Sequence, residues 1–240
     1  MATLSTAPID ARPRANTVPV RLGVVVIGQA PRPEIEAELR LVLGATPAIE
    51  LVGALDGLSR VEIDRLTPEG SDDTLFTKLP SGDGVVISKR TVARGAQARL
   101  DAFADRGIDV ALMCCTGSFK GLAARGPVVF PSAVLTGLAA ALLPQGRLGV
   151  FTPLPEQADQ VRHKWIERPW QVVVEPLLPI HGAGELAAAA ARMAAHRPDL
   201  VIMDCMSYTS AMKETVRRIT GTPVLLGLSC AARAVQELLG

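Results

Sequence analysis

Four short stretches of this sequence occur twice, in the same order, and that repetition limits the fold more than any other feature. Arg21-Leu-Gly-Val24 returns 126 residues later as Arg147-Leu-Gly-Val150. Asp109-Val-Ala-Leu-Met113 returns 90 residues later as Asp199-Leu-Val-Ile-Met203. Pro127-Val-Val129 returns 96 residues later as Pro223-Val-Leu225, and Leu142-Leu143 keeps that spacing to Leu238-Leu239. The economical reading is a duplicated half. Within it, apolar runs such as Leu22 to Ile27, closed by Gly28, read as strands buried in a parallel sheet. They alternate with helical spacing, as in Ile35, Leu39 and Leu43. The pattern predicts strands near 22–27, 49–55, 85–88, 109–113, 128–130, 147–151, 171–175, 199–203 and 224–226. Helices are expected near 34–43, 61–66, 91–105, 133–143, 156–166, 184–195, 210–219 and 231–239. This alternation predicts an α/β fold: two pseudo-symmetric three-layer α/β/α halves with mainly parallel sheets. Residues 1–19 read as a tail, 20–133 as the first half and 134–228 as the second. The last helix, about 229–240, is expected to return to the first half.

Hydrophobic residues are 48% of the chain, charged residues 20% and aromatics 3%. A disordered chain is excluded, and the core must be aliphatic. The net charge of +1 lacks the basic excess of a nucleic-acid or anionic-membrane binder. Residues 126–146 carry no charge, but Pro127, Pro131 and Pro144 punctuate them, so they read as a strand and a buried helix. The stretch Met1 to Pro19 holds two arginines, three prolines and no apolar run, unlike an export signal. The expected compartment is therefore the cytoplasm, where cysteines stay reduced.

The repeat places Cys115 and Cys205 at equivalent positions, each directly after a strand, where α/β sheets present residues to a ligand crevice. Two such halves would bring one cysteine to each side of a shared cleft. A thiolate that removes a proton from carbon, with a thiol donating from the opposite face, inverts that carbon without a cofactor. Helix starts expected after each cysteine would favour the thiolate. Cys114 should point to the other sheet face, with Asp204 as its mate, and Cys230 should pack in the core. Thr116, Gly117 and Ser118 follow Cys115, and Ser207, Tyr208 and Thr209 follow Cys205; their N–H and hydroxyl groups suit a carboxylate or a developing enolate. Gln29 and Arg32 lie in the loop after the first strand, where Arg32 could pair with a substrate carboxylate. Thr152 and Pro153 hold the matching place in the second half. Asp56 reads as a turn residue, Ser88-Lys89-Arg90 as a second candidate anion-binding group, and His181 as a candidate acid or base. Zinc-ligand spacings, phosphate-binding glycine motifs and a serine-hydrolase elbow do not occur, so no metal and no cofactor are expected.

Gly28-Gln29-Ala30-Pro31-Arg32, Gly53-Ala-Leu-Asp56-Gly57-Leu58, Leu112-Met-Cys-Cys115-Thr116-Gly117-Ser-Phe119 and Val201-Ile-Met-Asp-Cys205 together resemble the AroM family. The resemblance covers nearly all of the chain beyond residue 20. That family is similar, more distantly, to the aspartate/glutamate racemase superfamily, which includes amino-acid and hydantoin racemases, maleate isomerases and arylmalonate decarboxylases. The resemblance implies two pseudo-symmetric halves, one catalytic cysteine in each, and no pyridoxal phosphate. The superfamily's Cys-Asn-Thr motif is here Cys115-Thr116-Gly117, and its Gly-Cys-Thr-His motif is Asp204-Cys205-Met206-Ser207. These departures bear on an amino-acid substrate more than on the fold. The combined expectation is a cofactor-independent racemase or isomerase of a small carboxylate- or carbonyl-bearing substrate. A decarboxylase on the same site, or a non-catalytic binding or regulatory protein, is the alternative. No nucleic acid or membrane partner is expected, and a homodimer is left open.

Overall fold

A computed structural model describes residues 20–119, 121–166, 169–180 and 182–240. The expected tail, 1–19, and His181 lie outside the described residues. The first sheet holds β1 (Arg21–Val26), β2 (Ala48–Gly53), β5 (Val110–Cys114) and β6 (Val128–Val129), all parallel, in the order β2-β1-β5-β6. The second holds β7 (Gly146–Thr152), β8 (Trp170–Pro176), β9 (Leu200–Met203) and β10 (Val224–Leu226), also parallel, in the order β8-β7-β9-β10. The two orders match strand for strand, as the sequence repeat requires. The fold is therefore the expected pair of pseudo-symmetric α/β halves with mainly parallel sheets.

The repeated letters have physical reasons. At the head of β1 the Arg21 N–H donates to Asp109 Oδ2 at 2.8 Å, and at the head of β7 the Arg147 N–H donates to Asp199 Oδ2 at 2.7 Å. Each aspartate ties a sheet's first strand to the strand beside it. Leu22 and Leu148 are fully buried. The glycines between make room: a Cβ at Gly23 would stand 2.5 Å from the Phe103 ring, and one at Gly149 2.5 Å from Met193 Sδ.

Eight helices cover the sheets in the described residues: α1 (Pro33–Leu43), α2 (Arg60–Asp64), α3 (Lys89–Asp105), α4 (Pro131–Leu142), α5 (Ala158–Trp165), α6 (Ala183–Ala195), α7 (Ser210–Thr220) and α8 (Gly227–Leu239). One face of the first sheet packs against α1 and α8, through Leu39, Ala231 and Val235; its other face packs against α3. The second sheet lies between α4 and the Trp165–Trp170 pair on one face and α6 and α7 on the other. α4 thus covers the second sheet and α8 the first. The uncharged stretch 126–146 becomes β6 and α4, as its prolines suggested. Among the described residues, no helix is long and apolar enough to cross a membrane.

One element departs from the parallel pattern. Residues 84–88 do form a strand, β4 (Gly84–Ser88), but it pairs antiparallel with β3 (Thr74–Lys78), outside both main sheets. Nothing in Thr74-Leu-Phe-Thr-Lys78 marks β3 as a strand, since it is neither an apolar run nor a strict alternation. It is nevertheless buried along four of its five residues. α3 then starts directly after β4, two residues before the expected start, with the Ser88 hydroxyl capping the Thr91 N–H. This helix crosses β2 closely at Gly95, where a Cβ would stand 2.1 Å from the Ala54 carbonyl oxygen. In an open helix Gly→Ala gains about 1 kcal/mol. Here backbone must shift, so Gly95→Ala should instead cost about 1–3 kcal/mol. A urea unfolding curve checks this, and a raised midpoint would contradict the packing.

Candidate active site

The carboxyl ends of β1, β5, β7 and β9 converge on one cleft of about 190 Å³. Parallel α/β halves place their binding crevices there. The cleft is lined from the first half by Val26, Ile27, Arg32, Cys114, Cys115, Thr116, Gly117 and Ser118. From the second it is lined by Thr152, Pro153, Lys164, Asp204, Cys205, Met206 and Ser207. The β3 residues Leu75, Phe76 and Thr77 form a third wall. Most of the expected residues therefore come together: Cys115, Cys205, Arg32, Thr116, Gly117, Ser118, Thr152 and Ser207. Lys89 also lines the cleft, whereas Arg90 pairs on the surface with Glu69 and Asp73.

Two expected ligand-binding residues do not reach it. The Tyr208 hydroxyl donates to the Leu177 carbonyl at 2.6 Å, and the ring is fully buried in the core of the second half. Gln29 Nε2 donates to the Leu55 and Leu58 carbonyls, so this side chain ties down the loop after β2. Asp56 is a turn residue as expected, its carboxylate accepting the Gly53 and Ala30 N–H groups. Cys230 packs with Leu135, Val150 and Ile202.

Cys115 and Cys205 sit in equivalent frames. Each is 8% exposed. The Gly117 N–H donates to Cys115 Sγ at 3.3 Å, and the Ser207 N–H donates to Cys205 Sγ at 3.4 Å. Cys114 turns to the layer of α1 and α8, the face opposite Cys115. The expected helix starts are not both present. A non-helical segment follows Cys115, and α7 begins only at Ser210, capped by Thr209. Local N–H groups replace the helix dipoles, and they do not overcome burial. Burial pushes the Cys115 thiol up to about 11, against the Gly117 N–H and Lys164, which favour the thiolate, and with Asp204, which opposes it. Burial pushes Cys205 up to about 12, against the Ser207 N–H and with Cys115 and Asp204. Both groups are therefore thiols at neutral pH.

A stability consequence follows. A group whose folded value is raised stabilises the fold below its ordinary value and ceases to do so as pH rises toward the folded one. Stability should thus fall from about pH 9 toward 11, measured by urea midpoints. A variant carrying both Cys115→Ala and Cys205→Ala should lose less over that range. Identical pH dependence in both proteins would contradict the buried-thiol account.

Arg32 is 3% exposed, not a surface residue. Its Nε pairs with Glu34 at 2.7 Å, its Nη1 donates to the Lys78 carbonyl at 2.9 Å, and its Nη2 reaches Ser207 Oγ at 3.4 Å. Burial would raise the Glu34 carboxyl, but hydrogen bonds from Arg32, its own N–H and Lys78 outweigh it and hold the group low. The guanidinium is thus fixed on one side and reaches across to the second half on the other.

Sequence reading missed Lys164. Its Nζ donates to both Asp204 carboxylate oxygens, at 3.0 and 2.9 Å, and to the Thr116 carbonyl at 3.0 Å. Trp165 Nε1 also donates to Asp204 Oδ2, and Thr116 Oγ1 donates to the Asp204 carbonyl. These bonds join the two cysteine loops. Gln157, also unforeseen, lines the cleft and donates to the Thr74 carbonyl of β3. The signal in the sequence is Trp165, directly after the charged run Arg162-His-Lys164, in a chain with 3% aromatics. Among the described residues, no group of three His, Cys, Asp or Glu side chains is placed to hold a metal ion.

The family model for the AroM protein matches residues 22–239. A search of curated protein sequences found no match. Among solved structures, the chain is similar to allantoin racemase from Klebsiella pneumoniae, with TM-score 0.63 and 17% identity over 91% of this chain and 87% of that one. It is also similar to maleate cis-trans isomerase from Nocardia farcinica, with TM-score 0.61 and 17% identity over 91% and 92%. Glutamate racemase from Aquifex pyrophilus gives TM-score 0.56 and 14% identity over 92% and 84%. At these identities the likeness is one of fold.

Proposed function

The chain belongs to the AroM protein family, and we propose that it is a cofactor-independent racemase or isomerase of a small carboxylate- or carbonyl-bearing substrate. The observation that carries this reading is the pair of thiols at equivalent places in two halves, each with an N–H on its sulfur, lining one cleft. One cysteine, as thiolate, takes the proton from the carbon beside the carboxylate. The electron pair left on carbon delocalises into the carboxylate. The other cysteine, as thiol, returns a proton to the opposite face, so the charge passes from one sulfur to the other without oxidation or reduction. Arg32 and Ser207 are the groups we assign to the substrate carboxylate, because the Arg32 guanidinium is already fixed and charge-assisted bonds to it are strong. Thr116, Gly117, Ser118 and Thr152 line the same space; the Gly117 N–H serves Cys115 Sγ and the Thr116 hydroxyl serves the Asp204 carbonyl, so the Ser118 hydroxyl is the donor we assign to the developing negative charge. The folds of the similar racemase and isomerase structures support the same reading.

The test is incubation in deuterium oxide with a panel of enantiopure amino acids, hydantoins and 2-hydroxy acids. The expected result is loss of optical activity with deuterium at the stereocentre for at least one class. Tight binding of a panel member without exchange, unchanged when both thiols are removed, would establish the binding-protein alternative instead.

A further inference from the structure

The two halves repeat each other closely around the sulfurs but not around their charges. In the first half the residue before the reactive position is Cys114; in the second it is Asp204. Asp204 is 5% exposed, and its carboxylate is held by Lys164 and Trp165. The same ammonium lies on the Thr116 carbonyl, in the loop that carries Cys115. One ion pair therefore spans the two cysteine loops, with its cation on the first and its anion in the second. We propose that the Lys164–Asp204 pair is a positioning device that breaks the symmetry of the halves, making Cys115 the thiol that ionises first and Cys205 the one that stays protonated. This assignment rests on the acid–base reading of the two cysteines and adds a direction to it.

Coulomb's law gives the direction. A cation beside a sulfur favours its thiolate, and an anion disfavours it. Cys115 is faced by Lys164 from α5, Lys89 from α3, the neighbouring Cys114, and Asp204 and Cys205 from the opposite loop. Cys205 is faced by Asp204, Cys115, Cys114 and Tyr208; Arg32 reaches Ser207 in its loop, but that guanidinium is paired with Glu34. The first proton abstraction then falls to Cys115. After one turnover in that direction, Cys115 is the thiol and Cys205 the thiolate. The starting state returns when Cys205 takes a proton from solvent and Cys115 gives one up. The device acts on the sulfurs and need not touch substrate.

Alkylation of the full-length protein with iodoacetamide across a pH series, with fragment-level mass spectrometry to separate Cys114 from Cys115, reads the order of ionisation. In the unsubstituted protein Cys115 should react at lower pH than Cys205. Lys164→Met should move the Cys115 profile up by about one unit or more, closing or reversing the gap, while Lys164→Arg restores the order. Asp204→Asn keeps a group of the same shape and should move both profiles to lower pH, so the idea stays testable should Lys164→Met fail to fold. Cys205 reacting first in the unsubstituted protein would overturn the proposal, as would an unchanged order and gap in a folded Lys164→Met. So would unmoved profiles in Asp204→Asn. Loss of the acid–base reading itself would appear elsewhere, as an absence of deuterium exchange.

Discussion

Turnover should fall by about a thousandfold in Cys115→Ala, and by a similar factor in Cys205→Ala, with folding retained. General acid–base groups contribute roughly 10²–10⁴-fold each, and a two-base reaction needs both sulfurs in every turnover. The losses should not multiply, because removing either member already stops the proton relay; the double substitution should be little worse than the worse single one. Folding should survive, since Cys→Ala removes a single small atom at positions 8% exposed and leaves the Gly117 and Ser207 N–H groups facing the cleft, not sealed in the core. Kinetics on whichever substrate class exchanges deuterium, beside circular dichroism and a thermal melt, separates the two effects. Retention of most of the activity by either single variant would remove that cysteine from the mechanism.

Asp204→Ala should destabilise the protein by about 3 kcal/mol. Its carboxylate accepts two bonds from Lys164 and one from Trp165 Nε1, and it is 5% exposed. Removing one member of a buried pair typically costs about 3–5 kcal/mol, chiefly because the other charge is left without a partner. The low end applies here, since the Lys164 side chain is 19% exposed and can recover some hydration through the cleft. The Trp165 N–H also loses an acceptor in a fully buried setting, which adds to the cost. A urea midpoint series at neutral pH measures the change. A loss under 1 kcal/mol would mean that the pair contributes little and that the join between the cysteine loops rests on the Thr116 hydroxyl and packing.

The sheets were legible in the sequence because parallel strands buried on both faces announce themselves as apolar runs, and the duplication doubled the signal. α8, the counterpart of α4 in the repeat, packs beside α1 on the first sheet. What failed was local. β3 is mixed Thr, Leu, Phe and Lys, so no periodicity marks it, yet it forms one wall of the cleft. Among the described residues between β5 and β6 no helix follows Cys115, whereas α7 follows Cys205 in the second half. Position after a strand also does not say where a side chain turns. Arg32 and Ser207 face the cleft; Gln29 and Tyr208, in the same kind of loop, bond backbone carbonyls elsewhere. Lys164 was out of reach for a different reason. It stands 40 residues before Asp204 and 48 after Thr116, and only the packing of α5 against the cleft brings the three together.

The most direct test of the two-thiol account is a single pass of an exchanging enantiopure substrate through the enzyme in deuterium oxide, stopped early and resolved by enantiomer. Two opposed sulfurs predict that the newly formed enantiomer carries deuterium at the stereocentre while the remaining starting enantiomer still carries protium. One sulfur serving both faces would place deuterium in both enantiomers at the same rate, or return the original proton to the product. Either of those patterns would contradict the account.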